Sequence, residues 1–119
     1  MRVLPTMIHG VLDYLIGLLV IALPFILDLQ VSQKWTLVTI GSLVILYSGL
    51  TDYEFGLVRY LRIRFHLLLD AVFGLAMLLT PWLLNFPADA RLPNYVLGVL
   101  ALVLVAITDV RAMGTAATK

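Results

Sequence analysis

Two pairs of titratable residues lie within apolar stretches of the sequence, and they are the first candidates for chemistry. His9 precedes Asp13 by four residues, and His66 precedes Asp70 by the same interval. Since four residues are slightly more than one helical turn, each histidine shares a helix face with its aspartate. Imidazole and carboxylate groups can form hydrogen bonds, exchange protons or bind a divalent cation. The spacing therefore predicts a polar site built on two helices.

These pairs belong to an internal repeat with an offset of 57 residues. The repeat matches the rarest residue types with their own kind, which indicates two copies of one structural unit. We place repeat one at about 5–58 and repeat two at about 62–115, within a single membrane domain of residues 1–119. The matched pairs are His9 with His66, Asp13 with Asp70, Gly17 with Gly74, Pro24 with Pro81, Gly41 with Gly98, Thr51 with Thr108 and Asp52 with Asp109.

The composition predicts that the elements holding these residues are membrane helices. The 119 residues are 62% hydrophobic and 13% charged, whereas soluble domains average about 45–50% and about 25%. Crossing a bilayer takes about 20 apolar residues, and four such windows occur near 7–27, 34–54, 64–84 and 93–112. We predict an all-α, integral membrane four-helix bundle made of two tandem transmembrane helical hairpins.

The direction of the spans follows from their number and from the basic residues. Each repeat contains two spans, so both repeats enter the membrane in the same direction, related by a pseudo-twofold axis along the membrane normal. The excess of basic residues predicts cytoplasmic N- and C-termini, in the bacterial inner (plasma) membrane. The cytoplasmic set is Arg2, Arg59, Arg62, Arg64, Arg111 and Lys119, against Lys34 and Arg91 outside.

This topology brings the repeated polar residues into one leaflet, where they form the predicted polar cluster. Its members are His9, Asp13, Thr51, Asp52, His66, Asp70, Thr108 and Asp109. We expect each histidine to pair with an aspartate of the returning helix, so that the cluster braces the bundle. A divalent metal site or a proton-coupled site made by the same residues is the alternative. No cofactor is expected, and a haem is disfavoured because both histidines lie near the membrane edge.

The remaining repeated residues have packing roles. Gly17, Gly41, Gly74 and Gly98 are expected to let neighbouring helices approach closely. Pro24 and Pro81 are expected to bend or end the first and third helices. The sequence contains no recognisable nucleophile motif and no phosphate-binding loop, so we expect no enzyme. A net charge of +1 excludes nucleic acid as a partner, and the absence of cysteine excludes disulfides and thiolate metal sites.

Two short motifs carry a resemblance to a known family. Thr80-Pro81-Trp82 in the second repeat and Leu23-Pro24-Phe25 in the first are similar to the Ser-Pro-Trp signature of the SPW-repeat membrane proteins. The resemblance covers nearly the whole chain and implies a small integral membrane protein without an assigned activity. We therefore expect a structural or accessory membrane subunit surrounded by the lipid bilayer, with a homodimer or a larger membrane complex as its assembly.

Overall fold

A computed structural model describes residues 4–51, 56–57 and 62–108. Within these ranges the chain forms four α-helices, and a single 3₁₀ turn, Ala88–Ala90, precedes the last of them. The helices are α1 (Thr6–Ile26), α2 (Val31–Gly49), α3 (Ile63–Leu83) and α4 (Arg91–Ile107). The predicted all-α class is confirmed.

Three helical segments of the described residues are long and apolar enough to cross a membrane. They are Thr6–Ile26, Ile63–Leu83 and Ala88–Ile107. At about 1.5 Å per residue, a helix of 21 residues extends about 30 Å, the thickness of the hydrocarbon layer. Helix α2 is less apolar because its first turn contains Ser32, Gln33 and Lys34.

The second and fourth helices begin earlier than the sequence windows predict. Helix α2 begins at Val31 because the side chains of Gln30 and Gln33 cap its first turn reciprocally. Helix α4 begins at Arg91 and includes Pro93. A proline is tolerated in the first turn because the N–H groups there have no partner within the helix.

The helices pack as two antiparallel hairpins. Helix α1 lies along α2, and α3 lies along α4, whereas α2 and α3 meet over a smaller area. The apolar core contains residues from all four helices, including Val20, Leu37, Met77 and Leu97. At one end, the Leu4 N–H group donates to the Ile107 carbonyl over 2.8 Å, which joins the start of the first hairpin to the end of the second.

The distribution of polar and apolar residues is the reverse of that in a soluble protein. His9, His66 and Thr51 are fully buried, while Leu83 and Trp82 are 78% and 77% exposed. Large apolar side chains such as Leu15 and Leu68 also point outward from the middle of their helices. Such a surface is stable in hydrocarbon, where buried polar groups need partners inside the protein.

Candidate functional site

The polar cluster lies at the end of the molecule where α1 and α3 begin and where α2 and α4 end. His9 and Asp13 lie in the first turns of α1, and His66 and Asp70 occupy the same places in α3. All four side chains are buried, the two aspartates being 5% and 3% exposed. The helix spacing thus brings both repeats' histidine and aspartate into one enclosed site.

Four atoms from these residues form a closed ring of short contacts. His9 Nε2 lies 2.6 Å from Asp70 Oδ2, and His66 Nε2 lies 2.5 Å from Asp13 Oδ2. The contacts within each helix are longer, 3.1 Å from His9 Nε2 to Asp13 Oδ2 and 3.2 Å from His66 Nε2 to Asp70 Oδ2. The shortest contacts therefore run between the two hairpins. We call these four residues the His/Asp centre.

The other nitrogen of each histidine contacts a threonine hydroxyl. His9 Nδ1 lies 2.6 Å from Thr108 Oγ1, and His66 Nδ1 lies 2.7 Å from Thr51 Oγ1. These contacts also run between hairpins, since each histidine meets the threonine of the other repeat. Helices α2 and α4 therefore contribute to the site through the residues at their C-terminal ends.

The threonine hydroxyls fix which histidine nitrogen carries a proton. Thr51 donates its hydroxyl proton to the Tyr47 carbonyl over 2.6 Å, and Thr108 donates to the Leu104 carbonyl over 2.5 Å. Because a hydroxyl has a single proton, each threonine oxygen can only accept from the imidazole. Both histidines consequently carry a proton on Nδ1. Both Nε2 atoms face the ring of four contacting atoms in the His/Asp centre.

Tyr47 adds a contact that the sequence did not predict. Its hydroxyl donates to Asp70 Oδ1, and its ring packs edge-on against His66 with the ring centroids 5.0 Å apart. Tyr47 lies one turn before Thr51, so a search for residues sharing that face would have found it. The repeat did not indicate it because the matching position in the second repeat is Leu104.

The aspartates expected to pair with the histidines lie outside the described part of the chain. The predicted brace paired each histidine with Asp52 or Asp109, and both aspartates lie outside the described residues. The described contacts join the histidines to aspartates at the start of the other hairpin and to the two threonines. Six of the eight predicted members of the cluster therefore meet in one site.

The four repeated glycines lie where the two helices of each hairpin approach each other closely. A Cβ atom added to Gly41 would lie 2.6 Å from the Gly17 carbonyl oxygen, and one added to Gly98 would lie 2.8 Å from the Gly74 carbonyl oxygen. Real Cβ atoms essentially never come within 3.0 Å of another heavy atom. The absence of side chains at these positions thus permits contact between the backbones.

The opposite ends of α1 and α3 share one backbone geometry. Asp28 and Asn85, which follow the two helices, have φ angles of 52° and 57°. The next N–H group along the chain donates to the carbonyl of Pro24 or Pro81, over 3.0 and 2.9 Å. A left-handed residue with this hydrogen bond is a common way to end a helix. The prolines lie in the last turns, close to these ends.

Gln33 makes a second polar link between the hairpins, at the end opposite the His/Asp centre. Its buried amide donates to the carbonyl of Leu84 over 2.9 Å and to that of Asn85 over 3.4 Å. These carbonyls end α3 and have no partner within the helix. The two hairpins are consequently linked through polar groups at both ends of the molecule.

Apolar helices that enclose buried polar side chains define a helical integral membrane protein. Within that class the chain belongs to the SPW repeat domain family, whose domain matches residues 7–108. The resemblance inferred from the two proline motifs is thereby confirmed. No curated protein and no solved structure matches the chain.

Proposed function

We propose that this protein is a non-enzymatic structural or accessory subunit of a membrane assembly, and that its polar cluster holds two transmembrane hairpins together. The observation that carries the proposal is the exchange of partners between hairpins at the His/Asp centre. His9 contacts Asp70, and His66 contacts Asp13. Helices α1 and α3 pack mainly against their own hairpin partners, so these side chains supply the contact between them.

The arrangement we propose has four spans and a pseudo-twofold axis along the membrane normal. Its support is the agreement between matched contacts in the two repeats. The two histidine–aspartate contacts measure 2.6 and 2.5 Å, and the two histidine–threonine contacts measure 2.6 and 2.7 Å. With α2 as the fourth span, matched residues lie at equal depths on either side of the axis.

We propose that both termini are cytoplasmic and that the His/Asp centre lies in the inner leaflet. Arg62 and Arg64 support this orientation, since they lie at the start of α3, near the centre. Trp35 and Trp82 lie at the opposite ends of the helices, where exposed indole rings favour the other membrane interface. A cysteine at Ser32 should react with an impermeant thiol reagent added to intact cells, and one at Thr115 should not. The reverse pattern would contradict this orientation.

The bracing role predicts that removal of the histidines destabilises the protein. In His9→Ala/His66→Ala, two buried aspartates lose their histidine partners in the other hairpin, while Asp70 keeps the Tyr47 hydroxyl. Polar contacts in membrane proteins contribute about 0.6 kcal/mol on average and about 1.7 kcal/mol at most. We therefore expect the free energy of unfolding in detergent to fall by about 1–3 kcal/mol. Asp28→Asn is the matched control because Asp28 is exposed, outside the centre, and corresponds to Asn85 in the second repeat. Equal stability of the two variants would refute the brace.

The accessory role is supported by the apolar residues that cover the outside of the helices. Leu75, Leu79, Val96 and Val103 are all more than 45% exposed, on both helices of the second hairpin. These residues contact either lipid or another membrane helix. Gentle detergent extraction followed by cross-linking should recover a second copy or another membrane protein in constant proportion. Recovery of single chains alone would refute the accessory role.

A further inference from the structure

We propose that His9, Asp13, His66 and Asp70 bind one divalent transition-metal ion, with Zn²⁺ as the best-fitting example. The inference rests on the proposed function, because it makes the brace between the hairpins a metal centre. Each residue offers one ligand atom, and the four atoms lie within 4.8 Å of one another.

The first argument concerns the positive charge that the His/Asp centre requires. The proton on each Nδ1 is engaged by a threonine, so a neutral imidazole presents a lone pair at Nε2. The facing carboxylate oxygens also present lone pairs, at 2.5–2.6 Å. Four lone pairs at these distances repel unless two protons or one dication lie among them. Either two protons or one dication neutralises both aspartates and leaves no net charge inside the membrane, so the centre meets the charge requirement of a dication site.

The second argument concerns geometry. Zinc binds nitrogen and oxygen ligands at about 2.0–2.2 Å, which separates tetrahedral ligand atoms by about 3.3–3.5 Å. The two contacts within helices, 3.1 and 3.2 Å, are close to that separation. The two contacts between hairpins, 2.6 and 2.5 Å, are shorter and must open by less than about 1 Å. Rotation of four side chains can supply this movement without a change in the helices.

The third argument comes from the groups that hold the ligands in place. Histidine ligands of metals almost always donate their second nitrogen to an acceptor, which fixes the tautomer and the orientation of the ring. Thr51 and Thr108 do this for the two histidines, and backbone carbonyls orient both hydroxyls. Tyr47 donates to Asp70 Oδ1, the carboxylate oxygen that is not one of the four proposed ligand atoms. Each of these contacts suits a metal ligand.

The donor set selects the class of ion and its role. Two imidazole nitrogens and two carboxylate oxygens suit Zn²⁺, Mn²⁺ or Fe²⁺, whereas Ca²⁺ and Mg²⁺ prefer oxygen ligands alone. Four protein ligands in a buried site complete a tetrahedron and leave no open position for a substrate. A closed site of this kind stabilises structure, which agrees with a brace between two hairpins.

The test measures the metal content of the full-length protein purified in detergent. The protein is incubated with Zn²⁺, freed of unbound ion by gel filtration and analysed for zinc. We expect about one zinc per chain, retained in Asp28→Asn and lost in Asp13→Asn/Asp70→Asn. Cobalt should give the visible absorption of tetrahedral Co²⁺ in the same two proteins that retain zinc.

The Asp13→Asn/Asp70→Asn variant distinguishes loss of metal binding from loss of the contact between the hairpins. An asparagine amide can donate to the unprotonated Nε2 of a neutral histidine, so the hairpins remain connected while the anionic ligands are removed. Thr108→Val provides a second test, because loss of an orienting partner weakens metal binding by about 10–100-fold. Equal zinc in wild type and Asp13→Asn/Asp70→Asn, or none in either, would overturn the metal site. The brace fails separately if His9→Ala/His66→Ala is as stable as wild type without added metal.

Discussion

The contact between Gly41 and Gly17 gives a quantitative prediction about packing within the first hairpin. In Gly41→Ala, the new methyl carbon would lie 2.6 Å from the Gly17 carbonyl oxygen and 3.1 Å from the Ile21 nitrogen. Both neighbours are backbone atoms, so no side-chain rotation relieves the overlap. Ordinary contact begins at 3.4 Å, and α1 and α2 must therefore separate locally by about 0.8 Å (3.4 − 2.6).

The expected size of the effect follows from a comparison with a second glycine in the same helix. Gly49→Ala has its nearest neighbour at 3.8 Å, the Tyr14 hydroxyl oxygen, so the methyl group fits without displacement. Both substitutions gain up to about 1 kcal/mol from the better helix propensity of alanine. Only Gly41→Ala incurs the overlap, and overfilled cores typically lose about 1–3 kcal/mol. We therefore expect Gly41→Ala to be less stable than Gly49→Ala by about 1–3 kcal/mol.

The assay is equilibrium unfolding in mixed detergent micelles, followed by circular dichroism. Wild type, Gly41→Ala and Gly49→Ala are measured under identical conditions, because detergent composition changes the reference state. Gly17→Ala provides an intermediate case, since its closest neighbour is a movable side-chain atom, Ile45 Cγ1, at 2.7 Å. Equal free energies of unfolding for Gly41→Ala and Gly49→Ala would refute the packing of α1 against α2 described above.

Three further substitutions test individual contacts, each by the same unfolding measurement. Tyr47→Phe removes the hydroxyl that donates to Asp70 and should cost about 1.5–3 kcal/mol as a hydrogen bond to a charged group; no change would show that Asp70 does not depend on it. Gln33→Ala leaves the Leu84 carbonyl without its donor and should cost about 0.5–1.5 kcal/mol; wild-type stability would contradict that link. Asn85 has a φ of 57°, which alanine adopts less readily than asparagine or glycine. Asn85→Ala should therefore lower the free energy of unfolding by about 1 kcal/mol, whereas Asn85→Gly should not lower it.

The residues of the His/Asp centre could be predicted from the sequence because they are rare and repeated. Only two histidines occur in the chain, and the offset of 57 residues joins both to an aspartate at the same spacing. In an apolar chain, such residues can be buried only where they find partners. Their clustering was therefore predictable without any knowledge of helix packing.

The choice of partners could not be predicted in the same way. Periodicity defines which residues share a face of one helix, but it does not say which other helix lies opposite that face. The sequence therefore led to pairing of the histidines with Asp52 and Asp109. Those two aspartates lie outside the described residues, and the described contacts of the histidines with aspartates of the other hairpin were not among the predicted pairs.

Contacts made by only one of the two repeats were also absent from the sequence prediction. Tyr47 corresponds to Leu104, and Gln33 corresponds to Ala90. A comparison of the repeats therefore does not single out Tyr47 or Gln33. Their roles depend on neighbours far along the chain, Asp70 for one and the end of α3 for the other. The left-handed residues that end α1 and α3 were also not predicted, although Asp28 and Asn85 are matched in the repeat and both types favour positive φ.

The measurement that most directly tests the contact between hairpins is a double-mutant cycle on His9 and Asp70. Wild type, His9→Ala, Asp70→Ala and the double variant are unfolded under the same conditions, with His9→Ala and Asp28→Asn as a control cycle. A direct contact between the residues predicts a coupling energy of about 0.6–1.7 kcal/mol, while the control cycle should be additive within about 0.5 kcal/mol. Additive effects of His9→Ala and Asp70→Ala would contradict the proposal that the His/Asp centre holds the two hairpins together.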